Sequence, residues 1–236
     1  MIASALALAL SVTPFVDFEA GLAIAGGNDV AIPGDTGTPL SFTDDLSTSP
    51  APVARLRIGA VFGRHTLYAL GAPLRFSARG SPPRDVDFDG VTFAEGAPVH
   101  ASYRFDSWRA TWRYGFVRAA PWELDGGLTL KVRDAAISMA GAGGVAEKSN
   151  VGVVPLLSFR VAWWSSPSFG LLLDGDALVG PNGGRAEDVL IAAQWRVREG
   201  TLARVGYRIL EGGADAKTVY NFALVHYLTA GLQVDL

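Results

Sequence analysis

The sequence predicts an all-β fold, an antiparallel up-and-down transmembrane β-barrel of about ten strands, with twelve as the alternative count. Three observations predict it. Apolar and polar residues alternate along most segments, short and long connections alternate between those segments, and no apolar run reaches the roughly 18 residues that a transmembrane helix needs. The length of 236 residues is enough for one barrel, and 28 glycines with 10% aromatic residues fit strands joined by tight turns.

Charge and cysteine content exclude several classes of function. The net charge is −3, which argues against nucleic acid as a partner. The chain has no cysteine, so disulfides, thiolate metal sites and a cysteine nucleophile are excluded. No cofactor motif occurs in the sequence. We therefore predict neither a metal nor a cofactor.

The alternation is clearest in the hairpin 107–137. In its first arm Trp108 and Trp112 alternate with Arg109 and Arg113, and its second arm sets leucines against charged residues in the same way. Because successive side chains of a strand point to opposite faces, one face is apolar and bears tryptophan, and the other is charged. Lipid outside and a packed polar lumen inside explain this pattern. A soluble β-sandwich or a lipocalin-like barrel is the alternative.

The first residues have the composition of a secretory leader. We predict a signal-peptide remnant at 1–13, with an apolar centre at 2–10, and the barrel at 14–236. The basic start of such a leader is missing, since no Lys or Arg precedes Arg55. Extension of the first strand is therefore the alternative interpretation.

Ten segments carry the strand pattern, two of them being the arms of the hairpin 107–137. The others are 14–25, 52–62, 65–79, 151–164, 169–179, 187–198, 202–210 and 219–236.

Connection lengths distinguish the two ends of the predicted barrel. Connections after even-numbered strands have a few residues each, whereas those after odd-numbered strands are longer, above all 26–50 and 80–106. Segments 141–150, 180–185 and 211–217 are predicted as the remaining loops of the long end. Segment 80–106 has some alternation of its own and predicts a protruding β-ribbon, or two further strands.

This asymmetry resembles the bacterial outer-membrane β-barrel class over the whole chain after the leader. Members of that class typically end in an alternating strand with a terminal aromatic residue. Here LTAGLQVDL alternates, with Leu236 in the place of the aromatic residue. The resemblance implies a monomer, integral in the outer membrane of a Gram-negative bacterium. Its expected partners are the lipid bilayer, lipopolysaccharide and the barrel-assembly machinery.

The residues that the alternation places on the inner face of the strands predict a lumen filled with charged side chains. A barrel of about ten strands is narrow enough for side chains to fill, and buried charges need partners. We therefore predict a barrel of structural or loop-presenting type, closed by salt bridges between arginines and carboxylates. Because basic residues outnumber carboxylates at the inward positions, a narrow channel that favours anions is the alternative function. The inward set is Arg55, Arg57, Arg75, Arg79, Arg109, Arg113, Lys131, Arg133, Arg160, Arg196, Arg204, Arg208, Asp17, Glu19, Glu123, Asp125, Asp174, Asp176 and Asp188.

A third function comes from a local resemblance. Asp106-Ser107-Trp108 opens a strand at the long-loop end and resembles a segment of the outer-membrane lipid A palmitoyltransferase, an eight-stranded barrel. The resemblance implies acyl transfer from phospholipid by Asp106 and Ser107, with His100 as the nearest general base. The family carries its histidine on the first strand, whereas His100 lies in a later loop.

Other enzyme classes find less support in the sequence. No pair of the three histidines has metal-ligand spacing, and no G-x-S-x-G motif occurs. Omptin proteases also have ten strands, but their paired carboxylates and His-Asp dyad are not identifiable here.

Overall fold

The computed structural model describes residues 12–179 and 185–236, and the predicted leader falls largely on residues 1–11, outside this part of the chain. Among the described residues, no helix is long and apolar enough to cross a membrane. The strands are β1 (Val12–Ala31), β2 (Leu40–Ser41), β3 (Ser47–Thr48), β4 (Ala51–Phe62), β5 (His65–Ala72), β6 (Arg75–Gly80), β7 (Val86–Phe88), β8 (Val91–Phe93), β9 (Val99–Ala119), β10 (Trp122–Gly141), β11 (Gly144–Trp164), β12 (Phe169–Val179), β13 (Arg185–Arg198), β14 (Thr201–Ala216) and β15 (Val219–Asp235).

Within the described residues, ten strands close into an antiparallel ring, in the order β1, β4, β5, β9 and then β10 to β15, because β15 pairs back onto β1. β6 continues the line of β5 and pairs with the outer part of β9. β7 and β8 form a separate ribbon and, in the part of the chain that the structure describes, pair with no other strand. The predicted ten-stranded barrel is therefore confirmed, and the count of twelve is wrong.

The barrel is apolar outside and charged inside. Trp108 and Leu128 are 55% and 58% exposed on the outer face, whereas Arg109 and Asp188 are only 4% and 3% exposed inside. A soluble sheet places these residue types the other way round. The tryptophan-bearing face of the hairpin 107–137 therefore lies outside, as its alternation predicted.

In segment 65–79 the inward and outward faces are exchanged relative to the prediction. The pattern of segment 65–79 placed Tyr68 and Leu70 outside and Arg75 and Arg79 in the lumen. The structure buries Tyr68 and Leu70 inside the barrel and exposes the two arginines. Tyr68 belongs inside because its ring lies 4.5 Å from the guanidinium of Arg57, a cation–π contact.

Several strands are longer than predicted. β9, β10 and β11 have 20 or 21 residues, about twice what a tilted strand needs to cross a bilayer. The segments 141–150 and 211–217, predicted as loops, lie mostly in strands, with pairing continuing to Gly141–Gly144 and Ala216–Val219. Antiparallel partners satisfy these backbone groups, so the strands extend beyond the bilayer.

The two longest connections fold together into a cap, defined here as residues 32–50 and 81–98. Backbone bonds join them, from Asp89 N to the Ile32 oxygen at 2.7 Å and from Thr38 N to the Asp87 oxygen at 3.0 Å. Phe42 and Phe88 are 1% and 0% exposed inside the cap. This apolar core continues into the part of the barrel interior next to the cap. The barrel interior is therefore apolar near the cap and charged nearer the short turns.

Candidate functional site

Asp188 on β13 is the centre of a buried charge network in the lumen. Arg55 donates to its carboxylate at 2.9 Å, and Arg109 and Arg208 donate to it as well. The four residues are 2–6% exposed. They come from β4, β9, β13 and β14, so the network links strands that are far apart around the ring.

Asp174 and Asp176 on β12 extend the network toward β9. Arg113 and Arg57 donate to Asp174 at 2.6 and 3.0 Å. Arg109 and the Thr129 hydroxyl donate to Asp176 at 2.7 and 2.8 Å. Each carboxylate therefore receives at least two charged or hydroxyl donors, as buried carboxylates require.

Glu19 and Asp17 on β1 complete the central network. Arg208 donates two bonds to Glu19, at 2.8 and 2.9 Å. Arg204 donates to both carboxylates, at 2.7 Å to Asp17 and 3.2 Å to Glu19. Six arginines and five carboxylates thus fill the middle of the lumen.

A second ion-pair cluster closes the short-turn end. Arg160 donates to Glu123 at 2.9 Å and to Asp125 at 3.2 Å. Arg196, 41% exposed in its side chain, pairs with Glu123 at 3.3 Å, and Arg118 pairs with Asp125. The sequence pattern did not include Arg118, because strict alternation along β9 places it outward, whereas a bulge between Gly115 and Val117 shifts the phase and sets Arg118 opposite Glu123.

Little free volume remains within the central network. A void of about 30 Å³ lies between Arg57, Arg204 and their neighbours, and the Nε atoms of both arginines are buried without a hydrogen-bond partner. Such a void accommodates one or two waters and not a hydrated ion. The arrangement can therefore brace the barrel and occlude its lumen.

Four residues of the predicted inward set lie outside these clusters, and one of them, Arg79, is exposed on the outer surface of β6. Arg75 is on the outer surface, where it pairs with Asp106 at 2.7 Å. Lys131 and Arg133 point into the barrel but line a separate cavity nearer the cap. Among the described residues, neither of them pairs with a carboxylate.

The structure does not bring together the residues predicted for acyl transfer. Ser107 is buried in the lumen, and its hydroxyl accepts a bond from Arg109 Nε at 3.0 Å. Asp106 has the opposite phase and accepts from Leu74 N at 3.2 Å. His100 lies seven residues before Ser107 on the same strand, roughly 23 Å away, and is exposed. In this arrangement His100 does not reach the Ser107 hydroxyl.

The sequence pattern missed an apolar cavity in the outer half of the barrel, called the chamber below. It has a volume of about 350 Å³ and lies between the outer parts of β9–β11 and β13–β15, bordered by Phe105, Ile137 and Ala214, among others. Apolar residues at the inward positions of segment 99–105 were the available signal for it.

The outer face of the barrel is an apolar band with defined limits. Trp108 is opposite Val132 at the cap end of this band. The next outward position toward the cap sets Asp106 opposite Asp134, and Arg104 donates to Asp134 at 2.6 Å. At the other end, aromatic side chains lie within about four residues of the short turns, as in the girdles of membrane barrels. They are Phe62, Phe116, Trp122, Trp163, Phe169 and Trp195.

The band and the loops together decide the assignment. On β9 the band runs from Trp108 to Phe116, nine residues, which is the length a tilted strand needs to cross a bilayer. Tight turns lie at one end of the closed ring and the cap at the other. The chain is an integral bacterial outer-membrane β-barrel protein.

Solved structures of other membrane barrels are similar to this outer-membrane barrel. Neisserial surface protein A is 14% identical, covers 96% of this chain and 99% of its own, and has a TM-score of 0.38. Ail, the attachment invasion locus protein of Yersinia pestis, is 11% identical over 93% and 98%, with a TM-score of 0.40. The transport unit of the autotransporter AIDA-I from Escherichia coli is 9% identical over 100% and 93%, with a TM-score of 0.42. No protein-family model and no curated protein matches the chain.

A charge placed in the apolar band of this outer-membrane barrel is expected to destabilise it. Leu128 is 58% exposed and pairs with Trp112, halfway along the band. We expect Leu128→Arg to lower the free energy of unfolding in bilayers by about 2–4 kcal/mol, because the guanidinium must lie in hydrocarbon. Urea unfolding in lipid vesicles measures this change.

Val145→Arg is the matched control, since Val145 is 74% exposed near the β10–β11 turn, beyond the band. It is expected to change the free energy of unfolding by less than about 0.5 kcal/mol. Equal effects of the two variants would contradict the assigned position of the bilayer.

Proposed function

We propose that this protein is a non-conducting outer-membrane barrel that presents a folded cap at the cell surface. The observation that carries the proposal is the combination of a lumen filled by ion pairs and a cap with its own apolar core. The network occludes the axis, and the cap holds the two longest connections in a fixed shape. Lipopolysaccharide around the outer rim and the barrel-assembly machinery are its proposed partners.

The cap has a charge of its own, which favours a partner of complementary charge. Its two segments contain seven carboxylates and one arginine, a net charge of −6, so the rest of the chain carries +3 of the total of −3. Asp35, Asp85, Asp87 and Glu95 are among the exposed carboxylates. A basic surface is therefore the expected complement of the cap.

Conductance tests the closed lumen. In planar bilayers we expect the purified protein to give no steady channel, because the ion pairs leave no path for a hydrated ion. The double variant Arg113→Ala/Asp174→Ala removes an arginine together with the carboxylate that it binds at 2.6 Å, and Arg57, which loses its bond to Asp174, keeps its ion pair with Asp17 at 3.4 Å. It is expected to produce measurable steps of current.

Arg79→Ala is the control for this experiment, since Arg79 is exposed on β6 outside the barrel. It is expected to be as silent as the wild type. Steady anion-selective steps from the wild type would contradict the closed lumen and support the narrow channel instead.

A further inference from the structure

An apolar groove lies on the lipid-facing side of the barrel, across β1, β4, β5 and β9. Small outward residues, Ala54, Ala69 and Gly71, form part of its lining. The larger side chains around them include Phe18 and Trp108, which are 48% and 55% exposed. The groove has a volume of about 510 Å³, within the range of small-molecule sites. It is therefore large enough for part of an acyl chain.

The groove ends at the cap side of the apolar band. Gly71 is opposite Trp108, the residue that limits the band on β9. Pro73 also lines the groove, and the next outward residue toward the cap is Arg75. An apolar chain in the groove therefore reaches a basic side chain where it leaves the hydrocarbon.

Two arginines are directly opposite each other beyond the groove. Arg75 on β6 is paired with Arg104 on β9, and both are on the outer face. Like charges in opposite positions of a sheet are destabilising, since their β-carbons are only about 5 Å apart. Each arginine has one carboxylate partner, Asp106 for Arg75 at 2.7 Å and Asp134 for Arg104 at 2.6 Å. Each donates from a single terminal nitrogen, so its other N–H groups have no partner among the described residues.

The surface beside the groove is mainly guanidinium. The side chain of Arg75 is 62% exposed, whereas that of Asp106 is only 9% exposed. Asp106 also accepts from Leu74 N at 3.2 Å, which engages its second oxygen. The planar fork of arginine matches the oxygens of a phosphate. A phosphate between Arg75 and Arg104 would use their free donors and offset their repulsion.

A row of hydroxyl groups follows the two arginines. Ser77 on β6 is opposite Ser102 on β9, which is opposite Ser138 on β10. The hydroxyl oxygens of Ser102 and Ser138 are 2.7 Å apart. The row is two residues farther from the bilayer than the arginines, about 7 Å along the strand. Hydroxyl groups both donate and accept, and they therefore complement the hydroxyl groups of a sugar.

We propose that this outer face of β4, β5, β6, β9 and β10 binds lipopolysaccharide. One acyl chain lies in the groove, a phosphate of the lipid A lies between Arg75 and Arg104, and the sugar that carries it contacts the serine row. The apolar, basic and hydroxyl groups of the site follow one another in the order in which these parts leave the bilayer. The inference rests on the proposed function, which includes lipopolysaccharide as a partner, and assigns its site.

Two features favour lipopolysaccharide over a phospholipid. The site is at the cap end of the barrel, where the long connections lie, and this is the external end of an outer-membrane barrel. Lipopolysaccharide occupies the external leaflet of that membrane. A phospholipid would occupy the groove and the arginines, but it has no sugar for the serine row.

Lipid binding is measured by native mass spectrometry of the full chain released from nanodiscs. The probes are lipid A with two phosphates, the same lipid A without phosphates, and phosphatidylglycerol. We expect the wild type to retain one molecule of the phosphorylated lipid A, and the other two probes at least about tenfold more weakly. Arg104→Gln is expected to weaken retention of lipid A about tenfold, the loss of one charge-assisted contact. Asp134, which loses its partner, is 33% exposed, so this variant can fold.

Arg79→Gln is the matched control for the arginine variant. Arg79 is exposed on the same face of β6 as Arg75, four residues farther from the bilayer. It is expected to retain lipid A like the wild type. An equal loss in Arg79→Gln and Arg104→Gln would indicate general attraction by a basic surface, and the assigned site would then be wrong.

A second variant tests the groove without altering charge. Ala54 is exposed in the groove and is opposite another small residue, Ala20, so Ala54→Phe can fold with its ring in the groove. It is expected to weaken retention of lipid A about tenfold by displacing the acyl chain. Ala193→Phe is the control, since Ala193 is an outward residue of β13, far around the ring, and it should retain lipid A fully.

Three further results would overturn the proposal. Unchanged retention in folded Arg104→Gln or Ala54→Phe would remove this site and leave lipopolysaccharide as a partner. Retention of phosphatidylglycerol equal to that of lipid A would identify a site for anionic phospholipids instead. No retention of lipid A by the wild type would contradict both the site and the proposed partner. Migration of the unheated protein on gels confirms folding of each variant, and bilayer conductance remains a separate test of the lumen.

Discussion

Asp188→Ala is expected to lower the free energy of unfolding by about 3–5 kcal/mol, the usual effect of removing one partner from a buried ion pair. Asp188 is 3% exposed and accepts from Arg55, Arg109 and Arg208. Without its carboxylate, three guanidinium groups share one low-dielectric space with less compensation. Urea unfolding in lipid vesicles, followed by tryptophan fluorescence, measures the change.

Glu187→Gln is the matched control, because Glu187 is the adjacent residue on the outward phase of β13. We expect this variant to unfold within about 0.5 kcal/mol of the wild type. A loss of less than about 1 kcal/mol for Asp188→Ala would mean that water solvates the arginines, and the lumen would then be hydrated and not packed.

Phe93→Ala is expected to release the cap from the barrel. Phe93 is 1% exposed on β8, and its ring lies beside Gly141 at the end of β10. Truncation of a buried phenylalanine costs about 3–5 kcal/mol, which is large for a cap whose strands β2, β3, β7 and β8 have only two or three residues each. Proteinase K should then cleave within residues 81–98 of the vesicle-embedded protein and leave the barrel intact.

Glu95→Gln changes an exposed side chain of the same segment and is expected to keep the wild-type resistance. If Phe93→Ala were equally resistant, the cap would be held by its backbone bonds and not by its apolar core. Cleavage throughout the barrel would instead show that the cap and the barrel unfold as one cooperative unit.

The alternation of residues was enough to predict the strands where one face is clearly polar. The β9–β10 hairpin is such a case, since tryptophans and arginines cannot exchange faces. Segment 65–79 is the opposite case, because Leu67 and Ala69 on one face and Tyr68 and Leu70 on the other are all compatible with lipid. Contacts inside the barrel determine its phase, namely those of Tyr68 with arginines of other strands and the packing of Leu70 in a cluster with Phe15, and these contacts are non-local.

The cap and the chamber could not be predicted for a related reason. Turn-forming residues in 26–50 and 80–106 indicated loops, while the alternating apolar residues of 86–93 were the sole sign of a buried ribbon. Partner choice in the network is equally non-local, as Arg208 and Glu19 are 189 residues apart. Adjacent residues such as Asp106 and Ser107 are separated by the period of two and lie on opposite faces.

Closure of the ring has a kinetic consequence. β1 pairs on one side with β15, the last strand, and beside this pairing Leu236 N donates to the Pro14 oxygen at 2.8 Å. The contact order of the fold is therefore high, and we expect the barrel to assemble slowly. Until β15 pairs with β1, Glu19 is remote from Arg208. A half-inserted intermediate therefore exposes guanidinium groups without their carboxylate partners to hydrocarbon. Such an intermediate is costly, which favours concerted insertion of the whole polypeptide after its synthesis is finished.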